Sequence, residues 1–134
     1  MPSRRISWTF FAAALLVVAA VLGVMINQHR TRAEQRERAE ALTGGSAQRG
    51  AVLYAAKGCG GCHTLKGAST ALVGPPLDGV AERAVIAGVL ENSPDNLAHW
   101  IRDPQGVVPG NAMPNLPMSD QDAKDISAYL YSAK

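Results

Sequence analysis

The run Cys59-Gly60-Gly61-Cys62-His63 decides how the rest of this chain is read. Two thiols three positions apart stand about one helical turn from each other, and an imidazole follows at once. C-x-x-C-H is the attachment signature of a c-type haem. The thiols add to the two vinyl groups of the porphyrin, and His63 then lies beneath the iron as its proximal ligand. A thioredoxin-type redox C-x-x-C belongs in a βαβ setting, which the flanking sequence lacks. A structural zinc site takes four protein ligands, commonly with a second Cys or His pair. Cys59 and Cys62 are the only cysteines.

Outward from the motif the chain reads as helices joined by turns. Ser46 stands where an N-cap is wanted, and Gly50, Leu53 and Tyr54 share one face of a helix running into Gly58. Leu65 to Leu77 reads as loop, containing Gly74-Pro75-Pro76-Leu77. Apolar positions between Asp78 and Leu90 suggest a short helix around Ala81 to Leu90. Ser93-Pro94 pairs an N-cap with proline in the first helical position. The helix it opens carries Leu97, Trp100 and Ile101 and stops before Pro104. Gln105 to Pro117 is a proline-interrupted loop without periodicity. Ser119 caps a last helix, with Asp120 and Asp122 in its first turn, favourable to the helix dipole. Ile126, Tyr129 and Leu130 form its buried stripe. No internal repeat is visible.

The loop before the last helix holds Pro109-Gly110-Asn111-Ala112-Met113-Pro114. A thioether on a proline-stiffened loop is a candidate sixth ligand, and it raises the reduction potential of the iron. The plain alternative is a methionine filling an apolar gap. Met118 offers the same atom five residues later, beside the helix cap. His99 offers an imidazole between Leu97 and Trp100, a position suited to a helix surface.

The N-terminal part differs in kind. Ile6 to Ile26 is free of charge, and as a helix these 21 residues rise about 31 Å, enough to cross a bilayer. Trp8 lies near its start, where an interfacial aromatic is expected. A cleaved signal peptide has a shorter apolar region ending in a small-residue site, whereas Asn27-Gln28-His29-Arg30 is bulky and polar. A retained anchor is therefore expected over residues 1–28. Residues 29–45 read as a charged, solvated helical stalk with opposite charges four apart at Arg30–Glu34, Glu34–Arg38 and Arg36–Glu40, broken by Gly44-Gly45. Residues 46–134 form the remaining domain. Met1 to Leu42 carries six arginines against three glutamates, whereas Thr43 onward holds seven basic and eight acidic residues. The basic balance belongs to the anchor segment and does not point to nucleic acid. Aromatics are only 5%, so a bound macrocycle would supply much of what a small core lacks.

Ser46 to Lys134 resembles a class I cytochrome c domain. The resemblance rests on an ordered set: Gly50 and Tyr54, Cys59 to His63, Gly74-Pro75, Trp100, Met113-Pro114 and Ala128-Tyr129-Leu130. It implies an all-α class I cytochrome c fold, with crossed N- and C-terminal helices around one haem, preceded here by a single transmembrane helix. Gly50 would let Tyr129 approach. His63 and Met113 would ligate the iron of one covalent haem c. The Pro75 carbonyl or its neighbour would hold the Nδ1–H of His63, and Trp100 matches a propionate-contacting tryptophan only loosely. The run from Asn96 to Pro104 and the loop from Pro109 to Pro114 are most similar to cytochrome domains associated with haem–copper oxidases.

The function implied is electron transfer, not catalysis on a small-molecule substrate. Single electrons would pass from a quinol–cytochrome c reductase to a terminal oxidase on the periplasmic side of a bacterial inner membrane. The arginines on both flanks of the span do not set that orientation; the resemblance does. Two alternatives stand beside the shuttle: a fixed haem c subunit of an oxidase or dehydrogenase, and a haem enzyme or sensor open on the Met113 side. Lys57 and Lys66 flank Gly60-Gly61 as a weak basic patch for docking.

Overall fold

Forty-one residues, Ser3–Thr43, form one helix, α1, in the computed structural model, which describes residues 3–65 and 73–133. Met1 and Pro2 of the expected anchor, the docking lysine Lys66, and Lys134 lie outside the described residues. The chain divides into two units, Met1–Glu34 and Gln35–Lys134. In the first, every described side chain from Trp8 to Glu34 is exposed, Phe10, Phe11, Leu15 and Leu16 among them. α1 is long and apolar enough to cross a membrane. An apolar stretch that its own chain leaves uncovered over five turns suits hydrocarbon, not water.

The second unit begins inside α1. Ala39 and Thr43 are buried, 2% and 5% exposed, so the charged segment expected as a solvated stalk ends within the packed unit. Glu40 accepts a hydrogen bond from the Ala47 N–H at 2.8 Å instead of pairing with Arg36, and none of the three expected charge pairs forms an ion pair among the described residues. Gln121 donates to the Gly44 carbonyl at 3.2 Å.

Two helices make the frame of this unit. α2, Ala47–Ala56, is capped by Ser46, whose hydroxyl accepts from the Arg49 N–H. The last helix, α5, Asp120–Ser132, opens with a reciprocal capping box between Ser119 and Asp122. They cross closely at Gly50, where a Cβ would stand 1.9 Å from the Asp125 carbonyl oxygen and 2.8 Å from the Tyr129 Cβ. Beside the crossing the Tyr54 and Tyr129 rings meet edge-on, 5.6 Å between centroids. Asp125, 2% exposed, ties the two helices through Arg49 (2.8 and 3.1 Å), the Ser46 N–H (2.7 Å) and Gln121 (3.0 Å).

The middle of the chain fills the remaining side. α3, Pro94–Arg102, buries Leu97, Ala98 and Ile101 against Ala123, Ile126 and Leu130 of α5, with Leu65, Val80 and Ile86 in the same core. The helix expected around Ala81 to Leu90 is absent. A 3₁₀ turn at Val80–Glu82 leads instead into a two-stranded antiparallel hairpin, β1 Val85–Ile86 and β2 Leu90–Glu91. Ala87 and Gly88 both take positive φ, 53° and 75°, the backbone of a tight hairpin turn. Val85 and Ile86 are β-branched and suit the strand. The expected loop from Gln105 also begins later than expected. A short helix, α4, Pro104–Val107, starts where Asp103 ends α3 and accepts from the Gly106 N–H. Pro104 is fully buried and fixes α4 to the core.

Candidate haem site

α2 ends at Ala56 and delivers the motif on a 3₁₀ turn, Cys59–Gly61. The Cys59 carbonyl accepts from both the Cys62 and His63 N–H groups, at 3.2 and 3.0 Å, which brings the two thiols and the imidazole round one turn. Both thiols are unpaired, Cys59 half-buried and Cys62 exposed. Burial raises the Cys59 thiol above its ordinary pKa. The Tyr54 hydroxyl donates to the His63 carbonyl at 3.3 Å. Burial first, then the neighbouring Cys59, pushes that phenol up to about 12, so it remains a donor throughout the neutral range.

The Pro75 carbonyl receives Nδ1 of His63 at 2.8 Å, which settles the choice between Pro75 and its neighbour. With the proton on Nδ1, the ring's lone pair lies on Nε2, the tautomer a metal ligand needs. The loop comes this close because residue 74 has no side chain: a Cβ there would sit 2.5 Å from Cε1 and 2.6 Å from Nδ1 of the imidazole. The Gly74 N–H donates to the Cys62 carbonyl and the Leu77 N–H to that of Thr64, each at 2.8 Å. Arg83 closes the outer side through the carbonyls of Pro76 and Asp78. Arg83 is itself backed by Asn92, which donates to its carbonyl and accepts from the Tyr131 hydroxyl.

Met113 is half-buried in the loop after α4. Met118 packs against the hydrophobic core, the gap-filling role. His99 is exposed and lines, with Arg102 and Asp120, a cleft of about 170 Å³ between α3 and α5 that includes none of Cys59, Cys62, His63 or Met113. Trp100 is half-buried against the core. Lys57, expected at the docking patch, donates its ammonium to the Pro117 carbonyl.

The donor set at the motif is two thiols and one oriented imidazole. Among the described residues no three His, Cys, Asp or Glu side chains cluster to hold a metal ion. Porphyrin iron brings most of its own ligands, and a set of two unpaired thiols and one oriented imidazole fits its covalent attachment and ligation. The model of the family described as "Cytochrome c" matches residues 47–134. The chain belongs to the cytochrome c family. As a cytochrome c it carries covalently bound haem c with iron and works by haem-based electron transfer, and the crossing of α2 with α5 is the class I fold. Subunit 2 of cytochrome c oxidase from Alkalihalophilus pseudofirmus is 45% identical over 103 residues, 76% of this chain and 29% of that subunit. The Bacillus subtilis subunit 2 is 33% identical over 94 residues, 66% of this chain and 26% of its own length. Cytochrome c-551 of Stutzerimonas stutzeri is 37% identical over 89 residues, 66% of this chain and 80% of that protein. This cytochrome c spans less than a third of the length of the oxidase subunits it matches.

Sequence reasoning missed the braces on either side of the motif. Asn92, Arg83 and Tyr131 support the Pro75 loop, and Asp103, Gln105, Asn111 and Asn115 support the loop of Met113. Asp103-Pro104 was the available signal for the second brace, since it repeats the N-cap and first-turn proline of Ser93-Pro94.

Proposed function

We propose that this cytochrome is a membrane-anchored monohaem electron carrier of a bacterial respiratory chain. In this reading it takes single electrons from a quinol–cytochrome c reductase and passes them to a terminal oxidase on the outer face of the inner membrane. The observation that carries the proposal is the His63–Pro75 geometry, within a domain that covers 80% of a c-551 cytochrome. The apolar helix α1 supports the anchor. Bound haem supplies one-electron oxidation and reduction at its iron. Cys59 and Cys62 would hold it as thioethers. His63 would offer Nε2 to the iron, with the Pro75 carbonyl retaining the proton on Nδ1. Met113 would supply a thioether ligand, which favours the reduced state and leaves less access for oxygen or peroxide.

Similarity over 103 residues to oxidase subunit 2 supports a second reading, a domain fixed to an oxidase and not shuttling between complexes. One preparation separates these readings. The full-length protein is extracted in mild detergent and examined for co-purifying respiratory complexes, for CO binding to the reduced form, and for haem extractable into acidified organic solvent. The carrier reading expects haem that resists extraction, no rapid CO binding, and no stoichiometric partner. A stoichiometric oxidase selects the fixed subunit, and rapid CO binding selects an open-site haem. Replacing both Cys59 and Cys62 by alanine should release the haem; haem that still resists extraction refutes the thioether assignment.

A further inference from the structure

The loop after α4 is held by side chains, and the bonds converge on Met113. Its N–H donates to Asn111 Oδ1 at 2.7 Å, and its carbonyl accepts from Gln105 Nε2 at 2.7 Å. Both main-chain polar groups of the residue are thus taken by amide side chains. The same Gln105 Nε2 donates to the Asn111 carbonyl at 2.9 Å, while Gln105 Oε1 accepts from the Gly110 N–H at 3.0 Å. Gln105 therefore grips the loop at three points, using every polar atom of its amide. Asn111 turns its own amide back to the carbonyls of Pro104 and Val108, at 2.8 and 2.6 Å. Beyond Met113, Asn115 accepts from the Gln105 N–H at 3.0 Å and donates to Asp103 Oδ1 at 2.7 Å. The reference point for this network is rigid, because Pro104, beside Gln105, is fully buried.

We infer that Gln105 is the positioning residue for Met113, setting how firmly its thioether is presented to the haem iron. The inference rests on the reading of Met113 as the sixth ligand. A thioether reaches the iron only while its loop is closed, so the free energy of loop opening enters directly into the strength of ligation. The Gln105 amide contributes three of the bonds that close the loop, two of them as donor. Removing those two raises the open fraction about 10- to 30-fold, at roughly 1 kcal/mol for each net hydrogen bond. Opening exposes the iron to competing ligands and lowers the preference for the reduced state. The His63 side is untouched, since its supports are Tyr54, Pro75 and Arg83.

The test uses the full-length holoprotein in detergent. Gln105→Leu keeps the bulk and removes all three bonds, both donated ones and the one accepted from Gly110, without adding charge. Ile101→Val, a buried substitution outside the loop, stands as the control for lost stability alone. Met113→Ala tests the ligand. The readouts are the long-wavelength absorption band that marks a methionine–iron bond, its loss with rising pH, and the rate at which the reduced form binds CO. Gln105→Leu should lose the band at lower pH than the wild type and bind CO about tenfold faster or more, whereas Ile101→Val leaves both unchanged. If Gln105→Leu behaves as the wild type while Met113→Ala loses the band, the positioning role is overturned and the ligand stands. If Met113→Ala keeps the band and its resistance to CO, the ligand reading itself is overturned. Should Gln105→Leu fail to hold haem, Gln105→Glu decides. Its carboxylate keeps the acceptor and lacks both donors, so at neutral pH the reduced form should still bind CO faster than the wild type. CO binding by Gln105→Glu as slow as the wild type's overturns the inference.

Discussion

Replacing Gly50 by alanine tests whether the crossing of α2 and α5 organises the haem unit. The added methyl carbon would lie 1.9 Å from the Asp125 carbonyl oxygen, where ordinary contact begins at 3.4 Å. One helix must therefore move by about 1.5 Å, the difference between those distances. The obstructing atoms are backbone, so no rotamer change relieves them, and Asp125 is held in place by Arg49, the Ser46 N–H and Gln121. Alanine gains about 1 kcal/mol of helix propensity over glycine. Overpacking typically costs 1–3 kcal/mol, and a clash of backbone on backbone belongs at or above the upper end. The net loss is then roughly 2–3 kcal/mol, which lowers the melting temperature of a domain of this size by roughly 10–20 °C. The assay is thermal unfolding of the detergent-solubilised holoprotein, followed by far-ultraviolet circular dichroism. Gly23→Ala provides the background, because a Cβ there meets nothing within 4 Å. A Gly50→Ala protein melting within about 3 °C of the wild type would refute the close-crossing argument.

Two further outcomes follow from the same unit. Burial pushes the Asp125 carboxyl up, but hydrogen bonds from Arg49, the Ser46 N–H and Gln121 outweigh it and hold the group below the usual carboxylate range. A depressed folded pKa contributes stability above the unfolded value, near 3.9, and loses it as pH falls through the folded one. Asp125→Asn should therefore melt lower at neutral pH, by about 5–10 °C, and decline less steeply in acid; a decline as steep as the wild type's sinks the assignment. Replacing residues through Glu34 by a cleavable export signal should leave a soluble holo-domain. Removal through Leu42 also deletes the buried Ala39 and the Glu40 cap on Ala47 and should melt roughly 5–10 °C lower; equal melting would show that those turns contribute nothing.

Much of this was legible because its signals are local. Ser46, Ser93 and Ser119 each announce a helix by the bond a hydroxyl makes to an N–H three residues on. The attachment motif is equally local, since two vinyl groups and one iron must be met from a single turn of chain. What stayed hidden depends on partners far along the sequence or on ordinary backbone acceptors. Arg49 and Asp125 are 76 positions apart, and neither residue type alone points to the other. Gln105 acts on carbonyls that any residue could supply, so its identity carries no mark of its role. The hairpin at β1 and β2 was missed for another reason: its turn puts Ala87 as well as Gly88 at positive φ, while the apolar spacing nearby imitates a helix.

The Ser46–Asp125 bond spans 79 positions, and almost everything that handles the haem lies inside the ring of chain it closes. Joining ends so far apart costs roughly 4 kcal/mol of chain entropy beyond a constant. That cost falls once, on a single helix pair, and the segments within the ring are then confined to one small volume. The attachment turn and the methionine loop both lie between Ser46 and Asp125, and Lys57, just before the turn, donates to the Pro117 carbonyl, just beyond Met113. A backbone break in an exposed loop such as 108–112 would turn closure into association between two molecules, and the α2–α5 crossing would be the handshake by which the fragments recognise each other.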